Sequence, residues 1–297
     1  MTQKRAVAIV SGGLDSTTMV YHLTKEGYEV DCLSFDYGQR HKKELVFARA
    51  TALQLGLRFD VVDLSGLTHL ISNSALTSDN RFEAAKAAGM MVPDSYVEVP
   101  DGHYAEDTMK ATVVPNRNMI MLSIAAGVAV NREANTVATG VHAGDHFIYP
   151  DCRPEFIFAA GQTMIWGNEG FHNFDIEFNG NDPKNAELVA AGYTSAALPI
   201  YAPFLYWTKA SIAHRAIELG VPLHMTWSCY KGRENHCGRC GTCVERLEAI
   251  DSAIRQDIGN DTWTTDDLTV YDDTEFWKTA INKVKGESHV DTSHAAS

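Results

Sequence analysis

The chain has 297 residues, with 25 Lys+Arg against 38 Asp+Glu, giving a formal charge of −13 at pH 7 with His neutral. Its 45% hydrophobic and 21% charged content is that of a globular protein and excludes a disordered one. An acidic chain without a basic block is poorly suited to gripping a phosphate backbone, so no direct nucleic-acid partner is expected. The length accommodates one large domain or two small ones. The longest apolar run, Met119 to Val130, is shorter than the ~20 residues of a membrane span. The apolar stretch after Lys4 and Arg5 is also shorter than the ~7–15 residues of a signal peptide. No membrane partner and a cytoplasmic location are therefore expected.

Residues 5–10 form a short apolar run suited to a buried parallel strand, ending in Ser11-Gly12-Gly13. Residues 16–26 carry Met19, Val20 and Leu23 in helical rhythm and stop at Gly27. A second strand at 29–37, a helix at 40–55 stopped by Gly56, and a third strand at 58–64 follow. This alternation predicts an α/β fold, a doubly wound parallel sheet with right-handed crossovers. Residues 65–115 are polar and Gly/Pro-containing, the pattern of a functional loop or lid. A buried helix is expected at 118–131 and a fourth strand at 136–140. Residues 161–199 have aromatics but no firm period and read as an insertion. A helix at 210–219 stops at Gly220, a cysteine-rich region follows, and another helix is expected at 243–254. Residues 285–297 read as a frayed, flexible tail. The predicted division is a nucleotide-binding α/β domain over 1–222, a helical metal-binding region over 223–284, and that tail.

The turn Ser11-Gly12-Gly13-Leu14-Asp15-Ser16 places two glycines between a strand and a helix start. Glycine permits close backbone approach and positive φ, and the free N–H groups of a helix start attract anions. Ser11 and Ser16 add hydroxyl donors for phosphate oxygens. Asp15 would repel phosphate unless a cation lay between them, which implies Mg²⁺. The alternative is an ordinary strand-to-helix turn in which Asp15 and Ser16 serve as caps.

Cys229, Cys237, Cys240 and Cys243 form C-x₇-C-x₂-C-x₂-C, with Gly238 and Gly241 permitting tight turns. Four soft ligands at this spacing suit one structural Zn²⁺. An iron–sulfur cluster is a second reading, though the ferredoxin Cys-Pro is absent. Disulfides are disfavoured in a reducing compartment. Cys32 and Cys152 stand alone, and Cys152 lacks the surroundings of a nucleophile.

The Ser11–Ser16 hexapeptide resembles the S-G-G-x-D-S signature of the PP-loop ATP pyrophosphatases, whose fold is adenine nucleotide alpha hydrolase-like. Lys209 resembles the downstream lysine of that superfamily. Further segments are similar to those of the 7-cyano-7-deazaguanine synthases: Phe35-Asp36-Tyr37-Gly38-Gln39-Arg40-His41, Val114-Pro115-Asn116-Arg117-Asn118, Tyr149-Pro150-Asp151-Cys152-Arg153, and Cys229 through Arg246. Asn116 departs from that pattern, standing where the family has Gly.

The resemblance implies an ATP-dependent ligase that joins ammonia to 7-carboxy-7-deazaguanine and releases AMP and pyrophosphate. The product is the nitrile, or the amide in a variant that stops early. A PP-loop tRNA-modifying enzyme is the other enzymatic reading. The resemblance assigns ATP contacts to Val10, Ser11, Gly12, Gly13, Leu14, Asp15, Ser16, Thr17 and Gly140. Ser11, Asp15 and Ser16 also act in catalysis, with Lys209 and Arg117 supplying positive charge. Substrate contacts fall to Asp36, Tyr37, Gln39, Arg40, His41, Asn118, Asp151 and Arg153, with Asp145 a further candidate for guanine-like N–H groups. The resemblance also implies a small zinc subdomain built on the four clustered cysteines, and a homodimer. No glutaminase domain is recognisable, so free ammonia is the expected nitrogen donor.

Overall fold

The computed structural model describes residues 4–70, 74–77, 82, 85–86, 88–94, 96–105, 109–170, 200–257 and 267–290. Strands β1 (Arg5–Ile9), β2 (Glu29–Asp36), β3 (Arg58–Asp63), β4 (Thr136–Ala138) and β5 (Ile200–Tyr201) form one sheet in the order β3-β2-β1-β4-β5. Every pairing is parallel, with Ala8 opposite Cys32 on one side and Ala138 on the other. Helices α1 (Leu14–Lys25) and α2 (Glu44–Gln54) link β1 to β2 and β2 to β3. Helix α3 (Arg117–Asn131) precedes β4, and α4 (Pro154–Gly167) lies between β4 and β5. Helices α5 (Lys209–Glu218), α6 (Gly241–Asp257) and α7 (Phe276–Val290) complete the chain order. No helix among the described residues is long and apolar enough to cross a membrane.

The strand period of two explains the double winding. Val7 and Leu33 point to one core with Leu122, Ala125 and Ala129 of α3. Ala6, Ala8 and Cys32 point to the opposite core with Met19, Val20 and Leu23 of α1 and Ala48 and Ala52 of α2. The strand order reverses between β1 and β4. In such sheets, the crevice beyond the carboxyl ends at that switch point receives ligands. The loop after β1 and the Thr139-Gly140-Val141 segment after β4 both open there.

Several expectations are corrected. Helix α2 starts at Glu44, not at 40. The Gln39 amide folds back onto Tyr37 N and Phe35 O, and Arg40 N donates to Leu76 O, so 39–43 form a turn. The described parts of 65–115 are no free lid, because Leu76, Tyr104 and Met109 are packed into the core and Ala75 and Val99 cover the cysteine cluster. Residues 161–167 are the second half of α4, which buries Ile157, Phe158, Ala160 and Met164. The rest of the insertion read at 161–199 lies, from 171 on, outside the described residues. Helix α7 runs through the first six positions of the segment read as a tail, and 291–297 lie outside the described residues.

Candidate active site

Asn116 sits just before α3 with φ 58° and ψ 17°, in the left-handed region. Glycine takes this conformation freely, and asparagine is among the few other residues that visit it readily. The Asn116 departure therefore keeps the turn that launches Arg117 and Asn118.

The loop after β1 is held open by its own hydroxyls. Ser11 N and Gly12 N each donate to Ser16 Oγ at 3.2 Å, and Gly13 N donates to Ser11 Oγ at 3.2 Å. Gly12 has φ +88°, and a Cβ there would stand 2.2 Å from Glu44 O and 2.7 Å from Ala48 N. Only glycine lets the loop lie this close to α2. Gly13 is the residue before α1, which has no side-chain cap, so its first N–H groups face the crevice. Backbone N–H groups and a helix start together form an anion cradle.

Positive charge reaches the cradle from far along the chain. Lys209, at the start of α5, places Nζ 2.5 Å from Asp15 Oδ2 and 3.5 Å from Glu245 Oε2. Burial alone would lower the Lys209 pKa, but Asp15, Glu245 and Asp145 raise it, so it stays an ammonium. Burial alone would raise the Asp15 carboxyl, but Lys209 and His142 hold it below the usual aspartate range. Asp15 Oδ1 is buried without a hydrogen-bond partner, an acceptor still open to a cation. His142 Nε2 lies 3.5 Å from Asp145 Oδ2, and Tyr104 Oη donates to Asp145 Oδ1 at 2.7 Å.

The loop, Asp15, Asp145 and Lys209 share one cleft. Its lining includes Ser11, Gly13, Asp15, Ser16, Gly140 and Lys209, together with Tyr37, His41, Arg117, Asn118 and Asp145. The Arg117 guanidinium lies 5.9 Å from the Tyr37 ring centre and 6.0 Å from that of Tyr149. Among the described residues Arg117 forms no ion pair. It is a cation in the cleft whose nearest electrostatic influences include the Tyr37, Tyr149 and Tyr230 hydroxyls and the Asp151 carboxylate. Burial pushes the Tyr37 hydroxyl up to about 12, so it is a neutral donor beside Arg117.

Other residues expected at the site fall elsewhere. Arg153 is exposed and donates to His146 O at 2.7 Å, and Arg40 is buried with Nη1 on Ala75 O at 3.3 Å. Asp36 accepts from Gly38 N and pairs with Lys42 at 2.9 Å. Asp151 accepts from Asn118 N at 3.1 Å, at the start of α3. Gln39 is fully buried in its turn, and Thr17 points into the protein. None of these six lines the cleft. His41 does, but burial drives its ring down to about 3, so it is neutral there and no cation. Cys152 lines the cleft as well, yet burial holds its thiol well above the ordinary value, which disqualifies it as a nucleophile.

The four clustered cysteines are buried, and their sulfurs all lie within 4.8 Å of one another, a group that could hold a metal ion. Cys237 N donates to Cys229 Sγ at 3.4 Å, and Arg239 N and Cys240 N donate to Cys237 Sγ at 3.4 and 3.3 Å. Such donors favour the thiolate form. Gly238 has φ +69°, and a Cβ there would lie 1.7 Å from Asp273 O. His236 turns Nε2 to Ser228 N at 3.1 Å and stands outside the sulfur group. The cysteine region also builds the cleft. Trp227, Ser228, Tyr230 and Thr242 line it, and Trp227 N donates to Gly12 O at 2.8 Å.

These four wall residues, together with Glu44, His142 and Glu245, were not singled out from the sequence. Glu44 follows His41 by three positions, and the others flank the cysteines or the Gly140 segment. Proximity to those motifs was the one signal available.

The family described as "Queuosine biosynthesis protein QueC" matches residues 5–254. The 7-cyano-7-deazaguanine synthase of Brucella anthropi is 43% identical over 279 residues, covering 94% of this chain and 98% of its own. The 7-cyano-7-deazaguanine synthase 1 of Mesorhizobium japonicum is 46% identical over 276 residues, covering 93% and 97%. That of Rhizobium rhizogenes is 42% identical over 278 residues, covering 94% and 96%. On this agreement across nearly its whole length, the chain belongs to the QueC family of queuosine biosynthesis proteins.

Proposed function

We propose that the chain is an ATP-dependent ligase converting 7-carboxy-7-deazaguanine and ammonia to 7-cyano-7-deazaguanine. The observation that carries this reading is one cleft lined by an anion cradle, by Lys209 and by Arg117. A carboxylate does not react with ammonia, because oxide is too poor a leaving group. Attack of its oxygen on the α-phosphate of ATP makes an acyl adenylate and expels pyrophosphate. Ammonia then displaces AMP to give the amide. The amide oxygen attacks a second ATP, and loss of AMP leaves the nitrile.

The enzyme's work is to position the reactants and to neutralise charge as pyrophosphate departs. The N–H groups at the start of α1, over residues 14–16, and the hydroxyls of Ser11 and Ser16 hold the departing phosphates, and Lys209 balances their charge. Arg117 takes the substrate carboxylate, with Tyr37 and Asn118 beside it. The unpartnered Asp15 Oδ1 fits a Mg²⁺ ion; Asp15 would hold it, and it would supply positive charge against the phosphates.

The metal in the cysteine group is taken to be structural Zn²⁺. Tetrahedral bonds of ~2.3 Å set sulfurs roughly 3.8 Å apart, and Cys237 Sγ and Cys243 Sγ are 3.9 Å apart. The full chain acts as a cytoplasmic homodimer on the same family reading.

The test is a mass-spectrometric assay with 7-carboxy-7-deazaguanine, ammonium, ATP and Mg²⁺. The expected result is the nitrile with two AMP per turnover. Amide accumulation with one AMP would restrict the activity to its first half. Absence of AMP would overturn the ligase reading.

A further inference from the structure

His41 and Glu44 form a pair in the cleft that the scheme above does not use. They stand three positions apart across the turn that opens α2, with His41 Nε2 3.4 Å from Glu44 Oε2. Glu44 Oε1 accepts from Gln39 Nε2 at 3.2 Å, and Gln39 is itself locked to Tyr37 N and Phe35 O. The carboxyl is therefore held in place from behind, 3.4 Å from His41 Nε2, where a carboxylate favours the imidazole tautomer protonated at Nε2. That leaves His41 Nδ1 as the free lone pair. His41 is 3% exposed and lines the cleft, and its Nδ1 is buried with no hydrogen-bond partner among the described residues. A buried unpaired acceptor in a ligand cleft calls for a donor from the ligand.

We propose that His41 and Glu44 act together as the proton acceptor that turns ammonium into the attacking ammonia, an inference that rests on the ligase reading above. The nitrogen source is ammonium at neutral pH, which has no lone pair and cannot attack. His41 Nδ1 takes one proton from the bound ammonium, and the N–H bonding pair stays on nitrogen. The Nε2 proton passes to Glu44 Oε2, so the imidazole changes tautomer and carries no lasting charge. The ammonia lone pair then forms the C–N bond at the acyl carbon. The C–O bond to AMP breaks, and its electron pair leaves with the phosphate. The adduct's surplus proton goes to a departing phosphate oxygen.

The electrostatics agree with this geometry. Burial pushes the Glu44 carboxyl up to about 8, against the opposing effects of Gln39 and Arg117. Burial also keeps His41 neutral, with Arg117 and Arg40 adding to the effect. The remaining groups around the pair are Tyr37 from the end of β2 and Tyr230, whose ring centre lies 5.1 Å from that of His41. A base works best with an affinity near the working pH.

The experiment compares Glu44→Gln and His41→Asn with the unaltered enzyme in two assays. Substrate-dependent exchange between ATP and labelled pyrophosphate, without ammonium, reads formation of the acyl adenylate. Amide formation at neutral pH reads the ammonia step. Glu44→Gln should keep exchange within about threefold and lose amide formation by about 100-fold, the usual scale of general-base catalysis. The loss should shrink at alkaline pH, where free ammonia is abundant. His41→Asn should behave the same way. Equal loss in both assays, or a loss that alkaline pH does not relieve, would overturn the proposal in favour of a structural role. Undiminished amide formation at neutral pH would also overturn it. Absence of exchange in the unaltered enzyme would instead refute the ligase reading.

Discussion

Replacing Gly12 by Ala tests whether the nucleotide loop depends on its close approach to α2. The added Cβ would lie 2.2 Å from Glu44 O, and ordinary contact begins at 3.4 Å, so the backbones must part by about 1.2 Å. Neither obstructing atom is at the end of a flexible side chain, since both Glu44 O and Ala48 N are backbone. Left-handed backbone costs an L-residue about 1–2 kcal/mol. Overpacking adds about 1–3 kcal/mol, for a total loss of about 2–5 kcal/mol.

Gly27 supplies the control. It has a similar φ of +83°, but a Cβ there meets nothing within 4 Å. Gly27→Ala should therefore show the backbone strain alone. Calorimetry should find Gly12→Ala melting lower than Gly27→Ala by about 2–12 °C, at roughly 2–4 °C per kcal/mol. Pyrophosphate exchange in Gly12→Ala should fall about 100-fold, the cost of a 1 Å misplacement, while Gly27→Ala keeps it. Equal melting shifts in the two variants would refute the reasoning.

Arg117→Met should raise the KM for the carboxylate substrate by about 10–150-fold, the equivalent of one charged hydrogen-bonded pair of roughly 1.5–3 kcal/mol. The KM for ATP should stay put, and an equal rise in both would place Arg117 on the phosphates instead. Cys237→Ser should lose bound metal and melting temperature together, as a chelator should in the unaltered protein, because metal binding is coupled to folding. An unchanged melting temperature with no metal found by elemental analysis would sink that assignment. Asp15 is held below its ordinary pKa by Lys209 and His142 against the effect of burial. Its charge therefore stabilises the fold above the usual aspartate pKa, and that contribution is lost as pH falls through the lower folded value. Asp15→Asn should melt below the parent at pH 7, with the gap closing on acidification; a constant gap from pH 7 to pH 3 would contradict this.

Periodicity made the first half of the sheet readable, because β1 to β3 alternate with helices whose ends carry Gly27 and Gly56. Strand β5 has two residues, too few to display a period, and its pairing with Val137 and Ala138 is a tertiary event. Helix α4 is apolar on most faces and contains Gly161, so no polar stripe marks it. The cysteine spacing carried the metal group, because ligand geometry fixes sequence distance. Substrate contacts were less legible. Asp36, Gln39 and Arg40 neighbour Tyr37 and His41 in one motif, yet a tight turn sends their side chains away from the cleft. Sequence adjacency does not state which way a turn faces. Lys209 meets Asp15 across 194 positions, a contact that only the superfamily resemblance suggested.

The hydrogen bond from Trp227 N to Gly12 O fastens one of the earliest segments of the chain to one of the last. Glu245 draws Lys209 from the side of the cysteine helix, and Thr242 and Ser228 close the same cleft. The cleft is thus completed by the region that carries the four clustered cysteines. A nascent chain that has made the glycine loop but not yet residue 245 lacks that part of the lining and the second carboxylate facing the Lys209 ammonium.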